Sequence, residues 1–152
     1  MNGIIQAVQE QQTTLTSNIA AIPFATVDLR TRSATNCQGW MNHNEGSALF
    51  SILEGGLYEV TFNTNVTSAT AGVVGLALFA DGVEIIGTEM DATIETAGDY
   101  ENVGFNKKIR VCCKGTVNLS VNSVPTVTYD DTITDTQIPI IKNANINIER
   151  LS

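Results

Sequence analysis

Residues 55–68, GGLYEVTFNTNVTS, set the pattern for most of the chain. Tyr58, Val60, Phe62, Thr64 and Val66 alternate with Glu59, Thr61, Asn63, Asn65 and Thr67. Successive side chains on a strand point to opposite faces, so this is a half-buried β-strand with a core side and a wet side. Two glycines open it, where the chain turns without a Cβ penalty. A strand of this kind needs a second layer over its apolar face. The period of two recurs. Ala25, Val27 and Leu29 alternate with Thr26, Asp28 and Arg30, and Ala48, Phe50 and Ile52 with Leu49, Ser51 and Leu53. Residues 72–86 predict a hairpin closing at Asp81-Gly82, a dipeptide that matches the twist of paired strands. A weaker strand is predicted over residues 88–96. Val103, Phe105, Ile109, Val111 and Cys113 share a face that Lys107 interrupts. Val117, Leu119 and Val121 oppose Asn118, Ser120 and Asn122, and Ala144, Ile146 and Ile148 oppose Asn145, Asn147 and Glu149. Short strands with turns about every ten residues, and no helix between them, predict an all-β antiparallel two-sheet jelly-roll sandwich.

Residues 2–22 depart from this rhythm. Ile5, Val8, Gln12, Leu15, Ile19 and Ile22 are spaced by 3, 4, 3, 4 and 3, the a/d pattern of a coiled-coil seam. Asn2 suits an N-cap, and Pro23 disfavours helix from Ile22 onward. The expected organisation is a helical stem over 1–23 and a jelly-roll domain over 24–152. Isoleucine at both a and d favours three strands, and one Gln at an a position can fix register. About three heptads are marginal for an isolated coil in water, so the seam would depend on a body that already gathers the copies. The same stripe also suits a helix folded back on its own domain.

Composition narrows the function classes. Apolar residues make up 43% of the 152 and charged residues 16%, which argues against disorder and permits one sizeable core. The net charge of −8 repels a phosphate backbone, so no nucleic acid is expected as partner. Four of the eight basic residues, Lys107, Lys108, Arg110 and Lys114, cluster and read as a solvated strand face. No run is long enough to span a bilayer, and the first residues lack the basic and apolar regions of a signal peptide. The three cysteines, Cys37, Cys112 and Cys113, show no metal or redox spacing and read as small hydrophobes of a chain assembled in a reducing cytoplasm.

Candidate chemistry is sparse. His43, the one histidine, sits in MNHNEGS beside Glu45, and no nucleophile elbow accompanies it. No enzyme, cofactor or metal is expected. Asp130, Asp131 and Asp135 could gather Ca²⁺, but the loop lacks EF-hand ligand order and reads first as solvated acid. Trp40, His43 and Tyr129 fall in loop-like positions, where exposed aromatics beside Asn and Asp can build a sugar-binding surface; Trp40 equally suits the edge of a core. Asn65-Val66-Thr67 and Asn118-Leu119-Ser120 match the glycosylation sequon and carry no meaning without a secretory context.

A stem before a β-sandwich, the strand Gly56-x-Tyr58-x-Val60-x-Phe62, an apolar strand turning at Asp-Gly, VNLSVN at 117–122 and NANINIERL at 143–151 together resemble the trimeric jelly rolls of the tumour necrosis factor and complement globular-head type. More narrowly, the pattern resembles head fibre and capsid decoration proteins of tailed bacteriophages, and C-terminal domains of bacterial spore-surface filaments. The resemblance implies a homotrimer packed around a threefold axis through one sheet of each jelly roll. It implies a stem that joins the copies and attaches them to a capsid. The expected function is therefore a structural virion protein, placed on the virion surface after assembly in the host cytoplasm. The lack of Gly-X-Y repeats and of a secretion signal weighs against the spore-filament and secreted members. A receptor- or glycan-binding tip, recognising a bacterial surface glycan through Trp40, His43 and Tyr129, is the alternative, and a complement-head-like domain of a bacterial spore or cell surface is another.

Overall fold

A computed structural model of the chain describes residues 3–31, 39–112, 116–125 and 136–152. Strands form wherever the sequence alternates. They are β1 Ile4–Gln9, β2 Thr13–Thr14, β3 Thr26–Arg30, β4 Met41–Asn42, β5 Phe50–Ile52, β6 Gly56–Thr67, β7 Gly72–Ala80, β8 Val83–Glu84, β9 Met90–Ile94, β10 Glu101–Val111, β11 Val117–Ser123 and β12 Ile140–Arg150. One sheet runs β10-β6-β12-β1-β3, with β2 also on β12. The other runs β4-β5-β11-β7-β8, with β9 also on β7. Every pairing between named strands is antiparallel.

The two sheets bury their alternating apolar faces against each other. From β6 come Tyr58, Val60, Phe62 and Val66; from the facing sheet come Phe50, Ile52, Leu76, Leu78, Leu119 and Val121, all buried. Phe24 lies between the layers, edge-on to Phe50 at 5.4 Å and to Phe62 at 6.4 Å. Each such side chain stabilises the fold by about 1.5–3 kcal/mol through burial alone. The predicted hairpin forms as expected. Asp81 and Gly82 both take positive φ, 50° and 79°, the two-residue turn that an Asp-Gly pair permits.

The helical stem does not form. Residues 4–9 are β1, paired along its whole length with β12 from Ile4↔Glu149 to Gln9↔Ala144. Leu15 N–H donates to the Pro139 carbonyl at 3.0 Å. The chain then crosses to the other sheet, where Ile22 N–H donates to Val121 O and Ser123 N–H to Ala20 O, both at 2.8 Å. The six seam residues consequently part company. Ile5, Leu15 and Ile22 enter the common core, Val8 is half-buried on the opposite face of β1, Gln12 is exposed, and Ile19 is 66% exposed. The residues favour this outcome. IIQAV alternates as well as it spirals, TTLT is β-branched, and the segment has no charge pairs to stabilise an isolated helix. Pairing with β12 supplies backbone hydrogen bonds and buried area that a lone helix lacks. Residues 3–22 are thus part of the sandwich, and the boundary expected at residue 23 separates nothing in the fold.

Candidate functional site

Regular pairing in the first sheet lines up its outward side chains in rows at right angles to the strands. One row runs Leu29–Gln6–Asn147–Thr61–Asn106 across β3, β1, β12, β6 and β10. The next runs Thr26–Val8–Asn145–Asn63–Gly104. Neither row contains an ionisable side chain. Charge appears at Asp28, which the register shift places between the rows at the β3 end, and to the sides: Ile4–Glu149–Glu59–Lys108 on one flank, with Lys108 Nζ 3.1 Å from Glu59, and Lys142–Asn65–Asn102 on the other. In a chain of net charge −8, this is an unusually neutral strip.

The amides of the strip are partly tied to one another. Asn102 Nδ2 donates to Asn63 Oδ1 at 3.0 Å and to Asn65 Oδ1 at 3.1 Å, and Asn63 Nδ2 donates back to Asn102 Oδ1 at 3.2 Å. Asn106 Nδ2 donates to Thr61 Oγ1 at 2.8 Å. Gly104 fits this lattice because a Cβ there would lie 2.7 Å from the Phe62 carbonyl. At the centre, Asn147 Oδ1 is buried and has no hydrogen-bond partner among the described residues. The same residue lines a groove of about 390 Å³ together with Gln6, Val8, Asp28, Thr61 and Asn145. Asp28 reaches the groove rim because pairing of β1 with β3 shifts register between Gln6 and Ala7. The same shift turns Leu29 outward, where it is 44% exposed.

The residues expected to recognise a surface ligand lie elsewhere and face inward. Trp40 is buried; its ring stacks on Tyr58 at 5.6 Å, and its Nε1–H donates to the Thr31 carbonyl at 2.9 Å. His43 is buried against Phe50, with ring centroids 3.9 Å apart and planes 3° from parallel. Its Nδ1 lies 2.9 Å from the Leu49 carbonyl, which makes Nδ1 the protonated nitrogen of the neutral ring. Nε2 is buried without a hydrogen bond, and the nearby Phe24 carbonyl already accepts from Gly46 N–H at 2.7 Å. Burial holds the imidazole below its ordinary value, against the opposing pull of the Leu49 and Phe24 carbonyls. A buried indole and a buried imidazole offer no face for a sugar to stack on, so these two residues are core, not a recognition surface. Tyr129, Asp130, Asp131 and Asp135 lie outside the described residues, as do Cys37, Cys113 and Lys114. Cys112 is exposed and free. Among the described residues no three His, Cys, Asp or Glu side chains converge on a possible metal site.

No protein-family model matches the sequence, and no curated protein matches it. Solved structures do. Murine APRIL at pH 8.0 superposes with a TM-score of 0.66 at 8% identity, covering 99% of this chain and 100% of that one. The globular domain of zebrafish complement 1qA protein gives 0.65 at 8% identity, covering 99% and 98%. Murine APRIL at pH 5.0 gives 0.60 at 10% identity. The fold is a jelly roll of the tumour necrosis factor and complement globular-head type. At this identity the likeness is one of architecture, and it spans the whole jelly roll, including the N-terminal strand first read as a stem. The neutral amide strip was visible as the polar half of the alternation in residues 55–68 and 143–151. Its signal is that these outward positions are Thr and Asn where an ordinary wet face carries Lys and Glu.

Proposed function

We propose that this protein is a non-enzymatic structural protein that works as a homotrimer, three copies meeting through the outer face of the β10-β6-β12-β1-β3 sheet, and that it decorates the head of a tailed bacteriophage. The observation that carries the trimer is the pair of uncharged rows with the buried, unpartnered Asn147 Oδ1 at their centre. The core of a protein interface is depleted of charge, because desolvating an ion costs far more than desolvating an amide that finds a partner. The exposed amide of Asn145 and the half-buried amide of Asn63 in the second row can exchange hydrogen bonds with a partner. Identical copies supply matched amides, and closed symmetry limits the assembly. The jelly-roll fold it shares with the complement 1qA globular domain and APRIL supports a binding or structural role over catalysis.

The virion placement rests on the resemblance to head fibre and decoration proteins and on a compact, strand-paired body suited to a particle surface. With residues 3–22 inside the sandwich, attachment to the capsid falls to the jelly roll itself. A complement-head-like domain of a bacterial surface would share the trimer and differ in the particle. The glycan-binding reading loses Trp40 and His43 to the core.

Light scattering tests the trimer. The monomer is 16.3 kDa, and three copies give 48.9 kDa (3 × 16.3). Asn145→Asp puts a charge on an exposed position of the second row and is expected to yield monomer with an unchanged far-ultraviolet spectrum. A wild-type mass of 16.3 kDa would sink the proposal. Co-sedimentation with empty phage heads tests the placement, and protein left in the supernatant removes the virion role.

A further inference from the structure

The β7–β8 hairpin carries an apolar tip for which its own fold has no use. Val83 is 70% exposed and Ile86 89% exposed. Fraying does not explain this exposure, because the tip is fastened at both ends. Asp81 N–H donates to the Asn118 carbonyl and Asn118 N–H to Asp81 Oδ1, both at 2.9 Å. Ile85 N–H donates to Leu78 O at 2.8 Å. Thr88, fully buried, accepts from Leu78 N–H at 3.0 Å and donates to Ile85 O at 2.7 Å. Two large aliphatic side chains are thus held in water on a rigid loop, with the exposed carboxylate of Glu84 between them.

Beside the tip, between β10 and the hairpin, opens a cleft of about 500 Å³. Ile85, Ile109 and Val117 line it together with Lys107, Lys108 and Arg110, and the one carboxylate present, Asp81, is held by Asn118 N–H, leaving a net positive lining. Basic residues are scarce in this acidic chain, so their grouping over an apolar cleft selects an acidic, aliphatic occupant. The hairpin tip has that chemistry. Knob and hole lie on one patch of the surface, which is the requirement for a two-fold contact in which each copy gives and receives the same group.

We propose that the Val83–Ile86 tip of one copy seats in the Lys107–Arg110 cleft of a second copy. The cleft meets the amide strip only at its charged margin, through Lys108, so the contact would join assemblies already closed through that strip into larger ones on a surface. The experiment is sedimentation velocity on the full chain across a wide concentration range, with melting followed in parallel. Wild-type mass is expected to rise with concentration above that of the basal assembly. Ile86→Glu and Glu84→Lys, both at exposed positions, are expected to weaken this step by about tenfold or more while leaving melting unchanged. A wild-type mass that does not depend on concentration overturns the proposal. So does either variant associating as tightly as the wild type. The basal mass itself reports separately on the trimer.

Discussion

Replacing Trp40 separates a core role from a surface role for the one indole in the chain. The ring is 2% exposed, stacks on Tyr58 and donates to Thr31 O. Truncating a buried Trp to Ala removes about 3–5 kcal/mol. The upper half of that range applies here. The ring packs against Gly3, where a Cβ would lie 2.0 Å from Nε1, so position 3 has no side chain to collapse into the void. The Thr31 carbonyl regains water, because Thr31 is exposed, and its lost bond adds little. A loss of about 4 kcal/mol is a large share of the 5–15 kcal/mol that domains possess. It corresponds to a fall in melting temperature on the order of 10 °C. Trp40→Phe keeps the ring stack and should lose about half as much. Urea unfolding followed by circular dichroism measures both variants. In the wild type, tryptophan emission reports this single site, and it should be blue-shifted and shielded from acrylamide. A Trp40→Ala variant within about 1 kcal/mol of wild type, or an emission freely quenched by acrylamide, would refute the buried-indole account.

Two further outcomes are expected. Removing residues 1–22 takes away β1 and the buried Ile5, Ala7, Leu15 and Ile22, and bares β12 along six paired residues; the product should be insoluble or unfolded by circular dichroism, whereas a detachable helical stem would leave a folded jelly roll. For His43 the sign follows from its lowered folded pKa. The neutral ring's contribution is present above the unfolded value of 6.5 and is lost as pH falls through 6.5 toward the folded value. Stability should therefore decline as pH falls through 6.5, and His43→Phe should flatten that slope. Glu89 and Asp91, raised mainly by burial from 4.5 and 3.8, act in the opposite sense as pH falls through their raised folded values, so the histidine's share is read from the difference between wild type and His43→Phe. An equal slope in the variant would remove His43 from the account.

What could be read from the chain was what local alternation determines. The strands that show a clean period of two, such as β6 and β11, appear where expected, because their burial is already written in which side chains share a face. The Asp81-Gly82 turn was legible for the same local reason. β1, β2 and β4 were not. Two are only two residues long, and IIQAVQ fits both periods; what decides it is β12, more than a hundred residues downstream. Trp40 and His43 failed similarly. A polar neighbourhood in sequence hid the fact that the residues on either side of β4 lie over the Tyr58 and Phe50 rings.

The polar face of the first sheet needs the opposite kind of argument, from what selection did not place there. A solvated sheet face tolerates Lys and Glu at most positions, and charge there favours solubility and guards against sheet-to-sheet association. The outward side chains of β6 and β12 nearest the groove are instead Thr61, Asn63, Asn145 and Asn147. Thr and Asn give up that protection, and Asn is also a poor strand former. The choice is coherent if the face is meant to meet another protein surface. Amides then supply direction through donor and acceptor pairs, without leaving an unpaired ion in a dry contact. Flanking ions such as Glu59 and Lys108 stay at the margin, where a rim remains wet and charge sets register. Asn145 is the point at which this reading is most exposed to test, because its side chain is exposed in the single chain and one added charge there acts on the contact and leaves the core beneath it intact.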